Sequence, residues 1–207
     1  MAKYMFLFTK PSEESINRFI ASQQRCDFSY REIGASREGA PADYTVDHNR
    51  IRLGEGAATC ARAVEAVKRW EMFNLGWVKL CWPRAPIEEG SVVAVLASHL
   101  GFWSLSACRI VYVIDEDGPV RRFGFAYGTL PRHAERGEER FSIEWQKDDD
   151  SVWYDILAFS QPNHMLARIG YPIARNLQKR FARMSKEAMF RYVNSRAESL
   201  GTIEGIG

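Results

Sequence analysis

The spacing of hydrophobic residues along this chain changes twice, from a helical period to a strand period and back again. Near the start, the short apolar run Tyr4–Phe8 predicts a strand. Pro11-Ser12-Glu13-Glu14 then predicts a helix start, with Ser12 as cap and two carboxylates in the first turn, and the helix runs to about Arg25. Arg31 to Asn49, rich in Gly, Ala, Pro and Asp, predicts an irregular excursion. After Gly54-Glu55-Gly56, the residues Cys60, Val64, Val67 and Trp70 recur at three- and four-residue spacing. With Ala63, Ala66 and Phe73 beside them they predict an amphipathic helix ending near Asn74.

From Val78 onward the period shortens. The runs Val78–Trp82, Val92–His99, Leu105–Ile114, Arg121–Thr129, Phe141–Gln146 and Val152–Ser160 are rich in Val, Ile, Tyr, Phe and Trp, and turn residues separate them. Short connections such as Asp115–Pro119 and Lys147–Asp150 predict antiparallel pairing. The run Phe123-Gly124-Phe125-Ala126-Tyr127-Gly128-Thr129 is bulky on one face and only Gly or Ala on the other. A face without side chains lets a sheet curl or lets another element come close. The chain then returns to helical spacing, interrupted at Gly170-Tyr171-Pro172. Ile173, Leu177, Phe181, Met184, Ala188 and Tyr192 form one apolar stripe that must lie on the sheet.

This order predicts an α+β fold, a curved antiparallel β-sheet wrapped around a long C-terminal helix. It resembles the helix-grip architecture of START and birch-pollen-allergen-like proteins, which enclose an apolar cavity between sheet and helix. Residues 1–200 are expected to form a single domain, with 201–207 a frayed tail.

Composition narrows the class. With 207 residues, 46% hydrophobic and 26% charged, the chain is long enough for one sizeable core and is neither disordered nor collagen-like. No run reaches the roughly 18 apolar residues that span a bilayer, and the N-terminus lacks a signal-peptide pattern. Four cysteines without a CxxC pair predict reduced core thiols, and with them a cytoplasmic protein. The net charge of +2 conceals an asymmetry. Asn163–Glu198 holds eight basic and two acidic residues, +6, while the remainder is −4. A basic helix admits contact with RNA, the ribosome or anionic lipid, but no nucleic-acid module is present and a charged helix face is usually its solvated side.

Several strings resemble one family: Tyr30-Arg31-Glu32-Ile33-Gly34-Ala35-Ser36, Arg52–Gly56, Trp70–Phe73 with Gly76-Trp77, Ser106–Tyr112, and above all Phe123–Leu130 continuing through His133 and Glu135 to Gly137–Phe141. Together they are similar to the domain-of-unknown-function 1990 family, also called uncharacterised protein family 0548, found in bacteria and plants. The resemblance extends over roughly Tyr30 to Tyr192. It implies a START-like domain and no particular reaction.

The densest polar cluster follows the Gly/Ala-faced strand: Tyr127, His133, Glu135, Glu138, Glu139 and Arg140. A His among carboxylates suits general acid–base work; a solvated hairpin loop has the same composition. Arg109, on a strand face with Leu105, Ala107, Val111 and Val113, reads either as a contact for an anionic ligand group or as a structural ion pair. His133 and its carboxylates make a weak metal set, and no metal site is expected. Asp47-His48-Asn49 looks like an acid–base pair, but neighbours on a chain seldom face one another. No nucleophile elbow, GxGxxG or GxxxxGKS string occurs, so no cofactor is expected.

The function expected is binding of a small apolar or amphipathic molecule between sheet and C-terminal helix, with Arg109, Tyr127, His133, Glu135 and Glu139 as polar contacts. Two alternatives stay open. One is an enzyme using the same cavity for cyclase-, dehydratase- or hydrolase-like proton transfer. The other is an interaction module built on the basic helix.

Overall fold

Short polar turns between hydrophobic runs leave antiparallel pairing as the local outcome. The computed structural model, which describes residues 6–82, 85–99, 101–163 and 171–204, shows that pairing throughout. In chain order the elements are β1 (Phe6–Leu7), α1 (Glu13–Gln23), β2 (Thr45–Glu55), α2 (Gly56–Lys68), β3 (Val78–Leu80), β4 (Val92–His99), β5 (Phe102–Glu116), β6 (Val120–Thr129), β7 (Glu135–Gln146), β8 (Ser151–Pro162) and α3 (Tyr171–Glu204). The sheet runs β2-β8-β7-β6-β5-β4-β3, with β1 paired to β5 off that path. It curls around α3 in the expected α+β, helix-grip arrangement.

Alternation along the strands assigns each face. The concave face carries Phe123, Phe125, Phe141, Ile143, Tyr154 and Ile156, packed against α2, the turn Glu71–Phe73 and α3. Met189 and Val193 of α3 are fully buried there; removing such a side chain from water is worth roughly 1.5–3 kcal/mol. Ser185, also fully buried, shares a hydrogen bond with the Tyr154 hydroxyl at 2.9 Å, which fixes the helix's rotation. The convex face takes α1, whose Ile16, Phe19 and Ile20 pack on Val92, Ala94, Leu96, Leu105 and Ala107.

The Gly/Ala side of β6 is also convex, and it is where another part of the chain comes close. A Cβ on Gly128 would overlap the Tyr30 hydroxyl and lie 2.9 Å from Phe28 Cδ1. Beside it the buried carboxylate of Glu138 accepts hydrogen bonds from Tyr30 Oη at 2.6 Å, Gly34 N at 2.8 Å, Ser36 N at 3.0 Å and Ser36 Oγ. One carboxylate thus fastens residues 30–36 to the back of the sheet.

The structure differs from expectation in four places. Thr45–Glu55, half of which fell in the expected irregular excursion, is the edge strand β2, paired along its length to β8. Its inward positions include the polar Asp47 and Asn49, so no hydrophobic alternation marked it. Strand β7 starts at Glu135, six residues before the expected Phe141, so Glu135–Arg140 form strand and not hairpin loop. Helix α2 stops at Lys68, because Trp70 takes a left-handed φ of 58° and its indole donates to Ala85 O at 3.1 Å. On α3 the apolar stripe packs from Phe181 to Val193, but Ile173 faces solvent at 51% exposure. The helix backbone continues through Glu204. Gly170, the basic Arg168 and the end of the expected tail, 205–207, lie outside the described residues.

Part of the positive charge on α3 turns toward the body, while Lys179, Arg183 and Arg191 are exposed. Arg175 pairs with Asp47 through both guanidinium nitrogens, one at 2.7 Å. Lys186 donates to Asn49 Oδ1 at 3.3 Å, and Arg180 lies over Trp77 at 4.6 Å.

Candidate functional site

Between the concave face and the first half of α3 the packing leaves a cavity of about 450 Å³. Its walls include Phe73, Trp77, Val95, Ile156, Leu177 and Phe181. Polar groups come from β6, β7 and the loop between them, and also from β2 (Asp47, His48, Asn49), β4 (His99), β5 (Ser104, Ser106), β8 (Ser160) and α3 (Gln178, Lys179). Residues 127, 129, 135, 137 and 139 alternate onto the concave side, which brings Tyr127, Glu135 and Glu139 together on one floor.

Tyr127 donates to Glu139 Oε2 at 2.8 Å. Burial, with the Glu139 carboxylate beside it, pushes the Tyr127 hydroxyl well above its ordinary range, so it stays a hydrogen-bond donor. Burial raises Glu139 to about 7, against the opposing hydrogen bond from Tyr127. Glu135 also rises to about 7 by burial, held down in part by Gln178 and Arg175. Gln178 Nε2 donates to Glu135 Oε2 and, at 3.1 Å, to Ser160 Oγ; its own Oε1 accepts from Arg175 Nη1 at 2.7 Å. A polar chain Asp47–Arg175–Gln178–Glu135 therefore closes the cavity on the side of α3.

His133 behaves in the opposite sense. Burial pulls its imidazole down to about 4. Its Nδ1 accepts from the Glu135 backbone N–H at 3.1 Å, which leaves the ring proton of the neutral form on Nε2. At neutral pH the groups poised to exchange protons here are the two glutamates, and the imidazole is a fixed neutral partner. The sequence alone left that part open between the histidine, whose ordinary pKa lies closer to 7, and a glutamate.

The structure brings Tyr127, His133, Glu135 and Glu139 to the cavity and sets Arg109 apart. Arg109 lies on the convex face, donating to the carbonyls of Gln23 at 3.4 Å and Gln24 at 2.9 Å, with Phe28 beneath its guanidinium at 5.4 Å. It caps the C-terminal end of α1. Arg109→Met is accordingly expected to lower stability by about 1 kcal/mol in urea denaturation while ligand uptake by the cavity stays at the wild-type level. A fall in uptake would show that Arg109 acts on the cavity after all.

Adjacent positions on a strand face opposite ways, which separates Asp47 from His48. Asp47 turns inward to Arg175, and His48 Nε2 meets Asp155 Oδ2 at 2.6 Å on the convex side. Arg175 and Gln178 were not legible as site residues, because they lie ahead of the part of the apolar stripe that packs. Among the described residues no group of three or more His, Cys, Asp or Glu is placed to hold a metal ion.

Residues 29–188 match the family described as Domain of unknown function (DUF1990). A UPF0548 protein of Dictyostelium discoideum is 37% identical over 210 residues, taking in 92% of this chain and 97% of that one. The chain belongs to the DUF1990 family. Crystal structures of Ara h 8.0201 (TM-score 0.46, 11% identity, 73% of this chain and 99% of that chain) and of human STARD10 (TM-score 0.44, 10% identity, 94% and 86%) are similar to this DUF1990 chain. The matched span of the DUF1990 domain contains every cavity residue discussed above.

Proposed function

We propose that this chain binds a small, largely apolar molecule in the cavity between its sheet and α3, with Tyr127, His133, Glu135 and Glu139 as its polar contacts. The observation that carries this reading is a cavity of about 450 Å³ with aromatic and aliphatic walls and a few convergent polar groups on one floor, the ordinary make-up of a small-molecule site. Native mass spectrometry of protein purified from its own host tests it. A discrete co-purifying small molecule supports binding, whereas bound RNA in its place supports the interaction reading for the basic helix. Ala158 lines the cavity, so Ala158→Phe fills part of it. The expected result is at least a tenfold loss of affinity for the uncharged fluorescent dye N-phenyl-1-naphthylamine. Unchanged dye affinity would place the dye, and the reading, elsewhere.

The placement of Glu139 favours a second reading, that the same cavity performs proton transfer. A carboxylate raised to about 7 and hydrogen-bonded to a tyrosine is equipped as a general acid or base. Retention of a bound molecule unaltered over prolonged incubation, seen by mass spectrometry, argues for binding alone. No described helix is long and apolar enough to cross a membrane. The free cysteines, two of them buried, support placing the chain in the cytoplasm.

A further inference from the structure

The cavity has a sign as well as a shape. Glu135 and Glu139 stand four residues apart on the same side of β7, both line the cavity, and each is packed closely enough for burial to disfavour its charge. The Glu139 carboxylate is met by one donor, Tyr127, and Glu135 Oε2 by another, Gln178. The second oxygen of Glu135, Oε1, is buried without a hydrogen-bond partner among the described residues. A buried acceptor left in that state costs about 1–3 kcal/mol, more when it is charged.

The cations nearby are paired, stacked or turned to solvent. Arg175 is held by Asp47 and Gln178. Lys179 lines the cavity from α3 but is itself exposed, where water screens its charge. Arg180 lies over Trp77 at 4.6 Å, and Arg109 and Arg140 face the other side of the sheet. Three kinds of occupant can be compared on this basis. An anion would meet two carboxylates in a poorly solvated space. A neutral apolar molecule would displace water and leave both carboxylates with nothing in exchange. A cation with an apolar body would pair with the carboxylates and lay its charge near the rings of Phe73 and Phe181, where aromatic quadrupoles attract it.

Taking the cavity as a binding site, as proposed above, we infer that its occupant is a small hydrophobic organic cation, such as a protonated primary or secondary amine. The carboxylates receive the charged end, and the aromatic walls receive the hydrocarbon.

Three probes of one shape separate charge from cavity: 4-phenylbutylamine, 4-phenylbutan-1-ol and 4-phenylbutanoate, titrated calorimetrically into the full chain at pH 8. The amine is expected to bind at least tenfold more tightly than the alcohol, with the carboxylate weakest. Glu139→Gln is isosteric and uncharged, and is expected to lower the amine's affinity about tenfold and reduce its advantage over the alcohol. Glu135→Gln provides the same test should the first variant fold poorly. If the alcohol or the carboxylate binds as tightly as the amine, the inferred charge is wrong and the cavity reading stands. Failure of all three to bind overturns the cavity reading and this inference together. An amine preference undiminished in both folded variants overturns the role given to the carboxylates.

Discussion

Gly137→Ala is expected to destabilise this chain by about 2–6 kcal/mol, a large share of the ~5–15 kcal/mol available to a folded domain. Gly137 sits near the start of β7, opposite Ser160 of β8, with φ of +150°. A Cβ there would overlap the Phe159 carbonyl oxygen and lie 2.9 Å from Phe159 C and from Ser160 Cα. All three are backbone atoms of the neighbouring strand, so no side-chain rotation relieves the clash. Overpacking of this kind costs ~1–3 kcal/mol, and the unfavourable φ adds ~1–3 kcal/mol. Any retreat of β7 also disturbs the Gly137 N–H donated to Thr129 Oγ1 at 3.0 Å. Urea denaturation gives the measurement, with Gly118→Ala as the comparison. At Gly118 the nearest obstacle is Val120 O at 3.9 Å, and the change is expected to stay within about 0.5 kcal/mol. A loss below about 1 kcal/mol for Gly137→Ala would mean that the two strands separate more easily than their close approach implies.

The second large effect concerns pH. Burial raises Glu139 from 4.5 to about 7, so between those values the folded chain binds a proton that the unfolded chain has released. Stability therefore falls as pH rises through that window and levels off above about 7. One pKa unit corresponds to about 1.4 kcal/mol, but Glu139 keeps part of its surface toward the cavity, where water screens the charge. We expect Glu139→Gln to match the wild-type protein near pH 5 and to exceed it by about 2 kcal/mol at pH 8. That difference corresponds to roughly 4–8 °C in Tm for a chain of this size. His133, lowered to about 4, acts in the opposite direction, adding stability as pH rises from about 4 to its ordinary 6.5. It is present in both proteins and cancels in the difference, as do Glu135, Asp47 and Arg175 to the extent that their coupling to residue 139 is small. Thermal denaturation of the two proteins from pH 5 to pH 8 is the check. A gap independent of pH would show that Glu139 is not displaced by burial.

The expected destabilisation by a cavity carboxylate and the expected affinity for a cation have one cause. A group that weakens the fold while empty-handed is able to strengthen it when paired, so a bound amine should raise stability most at the pH where Glu139 costs most.

How far the sequence disclosed all this can be seen at individual positions. The faces of β6 were legible because Phe123, Phe125 and Tyr127 alternate with Gly124, Ala126 and Gly128, and no other arrangement buries those rings. The polar cluster after β6 was legible as a cluster. Its division was not, because Glu138 and Glu139 are chemically equivalent and only the register of β7 sends one to Tyr30 and the other to Tyr127. Strand β2 escaped notice because Asp47 and Asn49 are satisfied by Arg175 and Lys186 on α3, partners more than a hundred residues away. Arg109 was rightly placed with Leu105 and Ala107, but nothing in the sequence showed that α1 would cover that face.

Strand β5 holds a last lesson in its pairing with β6. Ile110 pairs with Tyr127 and Tyr112 with Ala126, so Val111 is the extra residue of a bulge. It explains why Arg109 and Val113, an even number of residues apart, face opposite ways. It also makes Val111 a joint at which the chain can lose a residue without turning its neighbours over. What would change is the bend of the sheet, since a bulge adds local twist and curvature. The breadth of the hollow under α3 and the chemistry of its walls are thus written in separate parts of the chain, and one can be altered while the other is kept.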